Sequence, residues 1–469
     1  MTSSKTIYLD TLGCRLNESE IEHIGRDFKA LGHSLTQTPE EADICVFNTC
    51  AVTQEASRKS RQMLYQTHRK APHAQLVVTG CYSEIDKAKV AAIPGVTHVI
   101  SNLEKEQLPY LILGISPQVF DQEPILRTNA QQVAHTSQTL FPSSTTDTSR
   151  SLQANAVHTR SASPSPLEKI RKTRAFVKVQ DGCNNKCAFC VTTLARGSER
   201  SRNLDEILCE IRGFHKLGHQ EIVLTGVHLG AYGRDQNHHQ EDLKTLLQAI
   251  LTYTDIPRIR LSSLEPWDLP EDFFSLWSNP RLCQHLHLPL QSGCDQTLKR
   301  MMRRTRKASF RAIVEDARAH LPKLSLSTDM IVGFPGETEA EFEETLAYVE
   351  EIEFFHMHIF RYSPRPQTRA ATMPNQLPKH IKKQRSQALL AIDQRAKQRF
   401  HERSVGQISP VLWEKQVDQN EQGILWQGLT DNYIRTQVRV PRMLYNKILD
   451  VELTSIHPED SEVMVGHLH

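Results

Sequence analysis

Cys183-x-x-x-Cys187-x-x-Cys190, in the segment Asp181-Gly182-Cys183-Asn184-Asn185-Lys186-Cys187-Ala188-Phe189-Cys190, sets three thiols close together in sequence. Three thiolates leave one iron of a four-iron cluster without a protein ligand, and an open iron can bind and activate a small molecule. A closed zinc site takes four N or S ligands at short spacing, so a trio without a fourth partner fits zinc poorly. Zinc and buried free thiols remain the alternatives.

Another trio, the first in chain order, lies near the amino terminus. The apolar runs Thr6-Ile7-Tyr8-Leu9, Ile44-Cys45-Val46-Phe47 and Leu76-Val77-Val78-Thr79 read as short buried strands, each followed by a helical pattern. Alternating strands and helices imply a parallel sheet, whose carboxyl edge is where ligands bind. Just after these strands stand Cys14, Cys50 and Cys81. All three are expected at that one edge, as ligands of a second cluster with a labile position able to hold an extra sulfur. The alternative is three unrelated core thiols. Cys45, inside its strand, reads as a small core residue.

These sites need scaffolds. From Ala175-Phe176-Val177-Lys178-Val179 to about Tyr362, strands and helices alternate again, predicting a partial (β/α)6 barrel with chemistry at the carboxyl ends of its strands. His285 and His287 share one face of a strand, where core or supporting roles outweigh metal binding because no third ligand is near in sequence. Asp329 could serve in acid-base chemistry, and Glu337 reads as a helix-capping or solvated residue. From about Val405, short alternating segments predict a small β barrel. The fold class is therefore α/β, with an amino-terminal domain at 1–116, a linker at 117–168, the larger barrel at 169–400 and the small β barrel at 401–469. The linker is rich in Ser, Thr, Gln and Ala, and cannot bury enough apolar surface to offset ordering.

The 469 residues, 39% of them hydrophobic, suffice for such domains. No stretch is long and apolar enough for a membrane span, and the first residues do not form a signal peptide, so an intracellular, soluble protein is expected. Ten cysteines are too few and too unevenly spaced for a disulfide framework. A net charge of +2 leaves nucleic-acid binding to local patches. Candidates are Arg196, Arg200 and Arg202; Lys299, Arg300, Arg303, Arg304, Arg306 and Lys307; and Lys379, Lys382, Lys383 and Arg385, the last set equally readable as a solvated helix face.

The segment from Asp181 to Cys190 closely resembles the cluster loop of the radical S-adenosylmethionine superfamily. That resemblance implies a 4Fe-4S cluster on Cys183, Cys187 and Cys190, with S-adenosylmethionine on the open iron as the source of a radical. It also implies cofactor contacts from Phe189, Thr225, Gly226, Ser263, Glu265 and Gln291. With both trios, nearly the whole chain outside the linker resembles the methylthiotransferase family. Membership would imply a second 4Fe-4S cluster on Cys14, Cys50 and Cys81 and insertion of a methylthio group at an unactivated C–H bond. Thr11-Leu12-Gly13-Cys14-Arg15-Leu16-Asn17 looks most like the branch acting on N6-threonylcarbamoyladenosine beside the tRNA anticodon; isopentenyladenosine in tRNA and a ribosomal-protein aspartate are the alternative substrates. A non-catalytic iron-sulfur RNA-binding protein is a further alternative.

Gly428-Leu429-Thr430-Asp431-Asn432-Tyr433-Ile434 resembles the signature of the TRAM RNA-binding domain, which implies RNA contacts by Asp431, Asn432 and an exposed, base-stacking Tyr433. The implied partners are tRNA and an electron donor such as flavodoxin or ferredoxin; the sulfur source stays open, and a cytoplasmic monomer is expected. Two departures from the family pattern stand out: Thr193 where relatives have proline, and Gln367 where they often have glycine.

Overall fold

A computed structural model describes residues 4–115, 173–235 and 242–468. The linker expected at 117–168 lies outside the described residues. Strands β1 (Thr6–Thr11), β2 (Ser34–Thr36), β3 (Ile44–Thr49), β4 (Gln75–Gly80) and β5 (Val96–Val99) form a sheet in the order β2-β1-β3-β4-β5. Every neighbouring pair is parallel. β3, with Cys45, is buried along its whole length, as a central strand covered on both faces must be. The helix Arg15–Ala30 turns Ile21, Ile24 and Phe28, spaced three and four residues apart, onto Ile7, Ile44, Val46 and Val77 of the sheet.

After residue 173 come β6 (Arg174–Asp181), β7 (Arg200–Ser201), β8 (Glu221–Gly226), β9 (Arg258–Leu261), β10 (His285–His287), β11 (Ser325–Val332) and β12 (His356–Arg361). β6-β8-β9 and β10-β11-β12 are parallel, β7 is an antiparallel edge, and the bridges Ile259 to Leu282 and Ser263 to His287 join the two sheets into an open barrel. Side chains alternate along each strand. Val177, Ile222, Leu224, Ile259, Leu286, Leu326 and Met330 turn outward to helix residues such as Ile207, Leu247, Phe310 and Val349 in one apolar cluster. The opposite, inner face carries Glu221, Arg258, Arg260, His285, His287, Ser327 and Asp329. The lumen is therefore polar.

At its amino end the lumen has an ionic floor. Glu221, fully buried, meets Arg260 Nε and Arg258 Nη2, each at 2.8 Å. Burial alone would raise its carboxyl pKa, but the two guanidinium groups outweigh it and hold Glu221 at about 2 against an ordinary 4.5. A depressed carboxyl pKa contributes stability that is present above 4.5 and is lost as pH falls toward 2. Unfolding midpoints measured against pH are therefore expected to show Glu221→Gln less stable than the parent near pH 7, by about 3 kcal/mol. That gap should close as pH falls through this window; a gap independent of pH would refute the assignment.

The last five strands, β13 (Ile408–Asn420), β14 (Gly423–Thr430), β15 (Arg435–Val440), β16 (Ile448–Ile456) and β17 (Val463–Leu468), close into a barrel in the order β13-β14-β15-β17-β16. Val411, Trp413, Trp426, Val438 and Val451 fill it. The turn after β14 caps the floor of the larger barrel: Arg258 and Arg260 donate to the carbonyls of Leu429, Thr430 and Asp431. This corrects the expectation of an RNA-facing turn. Asp431 and Asn432 are buried; Asn432 accepts from the Thr430 hydroxyl and donates to Lys323 O. Tyr433 is half-buried, its ring 4.6 Å from that of His285 and beneath the Arg260 guanidinium, so its faces are committed inside the molecule.

Candidate active site

β1, β3 and β4 are neighbours in their sheet, and the loops after them bring Cys14, Cys50 and Cys81 to one edge. Gly13 makes this possible. It has φ +125°, and a Cβ there would lie 2.9 Å from Cys50 Cβ and 3.1 Å from its Sγ. Desolvation raises the thiol pKa of Cys14, against the lowering effect of Arg196, and raises that of Cys50 to about 11.

The second trio sits on the loop after β6. Gly182, at φ +71°, allows the chain to pass Ser198, whose carbonyl oxygen would lie 1.9 Å from any Cβ. Backbone N–H groups of Asn185 and Thr192 point at Cys183 Sγ and Cys190 Sγ, both at 3.4 Å. The Cys190 thiol also meets the Thr192 hydroxyl at 3.0 Å. Thr193, at the position of the family proline, donates its hydroxyl to Asn185 O at 3.1 Å and so ties the loop by another means. Gln367 has φ +69°, which explains why glycine suits that position.

Charged side chains behind the loop fix these sulfurs. His228 lies between Asp268 and Glu199 with Nδ1 3.8 Å from Cys183 Sγ. Burial opposes its charge, but the hydrogen bonds to Asp268, Cys183 and Glu199 raise its pKa to about 11, making it a donor to the sulfur. Arg303 grips both oxygens of Glu265 at 2.9 and 2.7 Å and reaches Cys187 Sγ at 3.9 Å. Glu265, expected beside the cofactor, is thus engaged by Arg303. Phe189 joins an apolar cluster with Ala188, Met301 and Phe334.

Arg196 links the two trios, and this is a second correction. Expected to meet RNA, its side chain is 2% exposed. It donates to Cys81 Sγ at 3.3 Å, Glu20 Oε1 at 2.8 Å, Asp181 Oδ1 at 3.0 Å and Asn17 Oδ1 at 2.8 Å. Arg202 is likewise drawn inward, to Glu210 and Lys178 O, while Arg200 stays partly exposed near Asp181. Of the other basic patches, Arg303, Lys382 and Arg385 are buried, leaving Lys299, Arg304, Arg306, Lys379 and Lys383 exposed. Glu337 is buried too, paired with Arg385 and accepting from Gly333 N, so it is neither solvated nor a helix cap.

Thr225, Gly226, Ser263 and Gln291 all lie at or just beyond the carboxyl ends of β8, β9 and β10, at the mouth of the lumen. Deeper in, His287 Nε2 is 3.4 Å from Asp329 Oδ1, and the His287 and His358 rings are 5.5 Å apart. The third polar group that the sequence did not offer near the histidines comes from strands paired in register, Asp329 beside His358. Burial, then His356 and His287, lowers His358 to about 4, so it is neutral near pH 7. Arg15, the residue after Cys14, donates to the Tyr433 hydroxyl at 2.5 Å. Sequence reading missed Glu20, His228 and His358, and saw Arg303 only as part of a basic patch, because their partners are distant in the chain; Arg15, beside a candidate ligand, carried a signal.

The donor chemistry suits clusters better than single ions. Ligands of one ion crowd together, yet among the described residues neither cysteine trio is a group whose ligand atoms all lie within 4.8 Å, unlike Cys183-Glu199-His228 and His287-Asp329-His358. At the loop of Cys183, Cys187 and Cys190, the backbone N–H groups aimed at sulfur are what cluster thiolates require.

Barrel and cysteine loop define a radical S-adenosylmethionine protein, and residues 177–349 match that superfamily. Residues 6–101 match the uncharacterized protein family UPF0004. The chain is 32% identical over 96% of its length to the threonylcarbamoyladenosine tRNA methylthiotransferase MtaB of Bacillus subtilis, covering 93% of that protein. It is 33% identical over 92% of its length to MtaB of Thermotoga maritima, covering 91% of it. A tRNA-2-methylthio-N(6)-dimethylallyladenosine synthase of Akkermansia muciniphila is 32% identical, with 87% of this chain and 88% of that one aligned. The chain belongs to the radical S-adenosylmethionine methylthiotransferase family. In fold it is similar to the radical S-adenosylmethionine methyltransferase TsrM of Kitasatospora setae, with a TM-score of 0.53, 14% identity, and 78% of this chain and 77% of that one covered. The family carries S-adenosylmethionine and a 4Fe-4S cluster. No helix among the described residues is long and apolar enough to cross a membrane.

Proposed function

We propose that this enzyme converts N6-threonylcarbamoyladenosine, next to the anticodon of tRNA, to its 2-methylthio derivative. The observation that carries this reading is the convergence of two cysteine trios, tied through Arg196, beside one polar lumen. Cys183, Cys187 and Cys190 would hold the cluster that binds S-adenosylmethionine; Cys14, Cys50 and Cys81 would hold a second 4Fe-4S cluster that carries the sulfur to be transferred. With its cofactors bound, the enzyme has a source of a hydrogen-abstracting radical and of a methylthio group. The chain itself supplies the rest. His228 and Arg303 hold the sulfurs of Cys183 and Cys187 in place, Thr225, Gly226, Ser263 and Gln291 line the mouth for the cofactor, and the lumen receives the base.

The named relatives support the substrate, and the polar lumen favours it over a hydrocarbon-bearing adenosine. The proposed division is a cluster domain at 1–116, a radical barrel at 169–400 and a TRAM-like RNA-binding domain at 401–469. On this reading the enzyme is a cytoplasmic monomer that takes electrons from a flavodoxin or ferredoxin. Mass spectrometry of tRNA nucleosides from cells with and without the gene tests the function. Loss of 2-methylthio-N6-threonylcarbamoyladenosine with accumulation of its precursor is the expected result; an unchanged level of that nucleoside would reject the proposal.

A further inference from the structure

Relatives acting on threonylcarbamoyladenosine and on dimethylallyladenosine match this chain at equal identity, so overall similarity does not separate the two substrates. Their chemistry does. One modification ends in a carboxylate, the other in a hydrocarbon.

We infer that Arg15 is the specificity-determining residue, its guanidinium receiving the carboxylate of the threonylcarbamoyl group. The inference rests on the function proposed above and names the contact that selects its substrate. Arg15 directly follows Cys14, so a group held by it lies within a side chain's reach of the first trio. Its partner Tyr433 stacks 4.6 Å from the ring of His285, on the strand of the lumen wall that also carries His287.

The surrounding arginines are already paired: Arg174 with Glu414, Arg196 with Glu20 and Asp181, Arg258 and Arg260 with Glu221, and Arg303 with Glu265. Arg15 differs. Among the described residues no carboxylate lies within 4.0 Å of it, and its one hydrogen bond goes to the Tyr433 hydroxyl at 2.5 Å. Tyr433 is itself held between His285 and Arg260, so it steadies the guanidinium while leaving most of its five donors free. A half-buried cation with no carboxylate partner is poised for a bidentate carboxylate, and a hydrocarbon in its place would desolvate the charge without compensation. His287 and Asp329, on the same lumen wall as His285, suit the polar ureido and hydroxyl groups of the same substituent.

The test uses the cluster-loaded enzyme and three anticodon stem-loop RNAs, carrying threonylcarbamoyladenosine, its methyl ester at the threonyl carboxylate, or dimethylallyladenosine. Affinity and methylthio product are both measured. The parent enzyme should bind the acid about ten-fold more tightly than the ester. Arg15→Gln should lose about that factor for the acid and bind acid and ester alike, while Arg15→Lys should keep part of the preference. Equal weakening of acid and ester by Arg15→Gln would mean that Arg15 meets an RNA phosphate, and the inference would fall. It falls equally if the parent enzyme does not distinguish acid from ester, a comparison that needs no variant to fold. If the parent modifies the dimethylallyl stem-loop and not the threonylcarbamoyl one, the proposed function fails first and takes the inference with it.

Discussion

Replacing Cys187 by alanine is expected to abolish cleavage of S-adenosylmethionine, whereas replacing Cys50 should leave cleavage in place and stop only sulfur transfer. The two cysteines belong to separate trios on separate sheets. Cys187 sits on the loop after β6, where Asn185 N–H, Thr192 N–H and Arg303 are already aimed at the three sulfurs. Removing one of three ligands leaves two thiolates, too few to hold a four-iron group with one open position. Loss of a merely supporting partner costs about 10–100-fold in metal affinity, so loss of a ligand should exceed that and reduce 5'-deoxyadenosine to background. Cys50 lies at the edge of the first sheet, and its removal leaves β6, Gly182 and the second loop untouched. Iron content should fall from about eight to about four per chain in either variant, while cleavage distinguishes them. Methylthio product from the Cys50 variant would overturn the division of labour between the trios.

Much of this architecture was legible because it follows from local patterns. Short apolar runs before Cys14, Cys50 and Cys81 imply parallel strands, and the carboxyl-edge rule then brings the cysteines together without any long-range information. The side chains that organise the site were less legible. Arg196 looked like a surface arginine among other basic residues, but Glu20 lies far upstream in sequence and only the fold brings it to 2.8 Å. Tyr433 reads as an exposed aromatic until the floor of the lumen turns out to need a cap. A member of a basic patch can point inward when an acidic partner awaits it, as with Arg303 and Glu265 or Arg385 and Glu337. Asp329 and His358, likewise, meet only through strand register.

Arg196→Gln is expected to destabilise the protein by on the order of 3–5 kcal/mol, the usual cost of breaking a buried ion pair from one side. The residue sits in a charge cluster with Glu20, Asp181, Lys105 and Lys178. Burial would raise the Glu20 carboxyl pKa, but Arg196, Lys105 and Lys178 hold it well below the ordinary range, and Lys105 and Lys178 remain beside the carboxylate when Arg196 is removed. A buried charge then loses its strongest partner, and the amide of glutamine replaces only part of the hydrogen bonding. The effect extends beyond stability. Arg196 is the side chain that touches Cys81, reaches Asn17 on the helix beginning at Arg15, and pairs with Asp181 at the root of the other cysteine loop. Its loss should loosen the first sheet against the barrel, seen as faster hydrogen exchange along Arg15–Ala30 and quicker alkylation of Cys81 in the cluster-free protein. Arg196→Lys keeps the charge but not the planar fork, and should fall between parent and Gln. The control is Arg304→Ala, at an exposed position, which should shift stability by no more than about 0.5 kcal/mol. If Arg196→Gln unfolds at the same temperature as that control and exchanges no faster, Arg196 does not join the two cysteine sets, and their proximity must be held by the other contacts of the helix Arg15–Ala30 with β6, such as the Ser19 hydroxyl on Phe176 O at 3.0 Å.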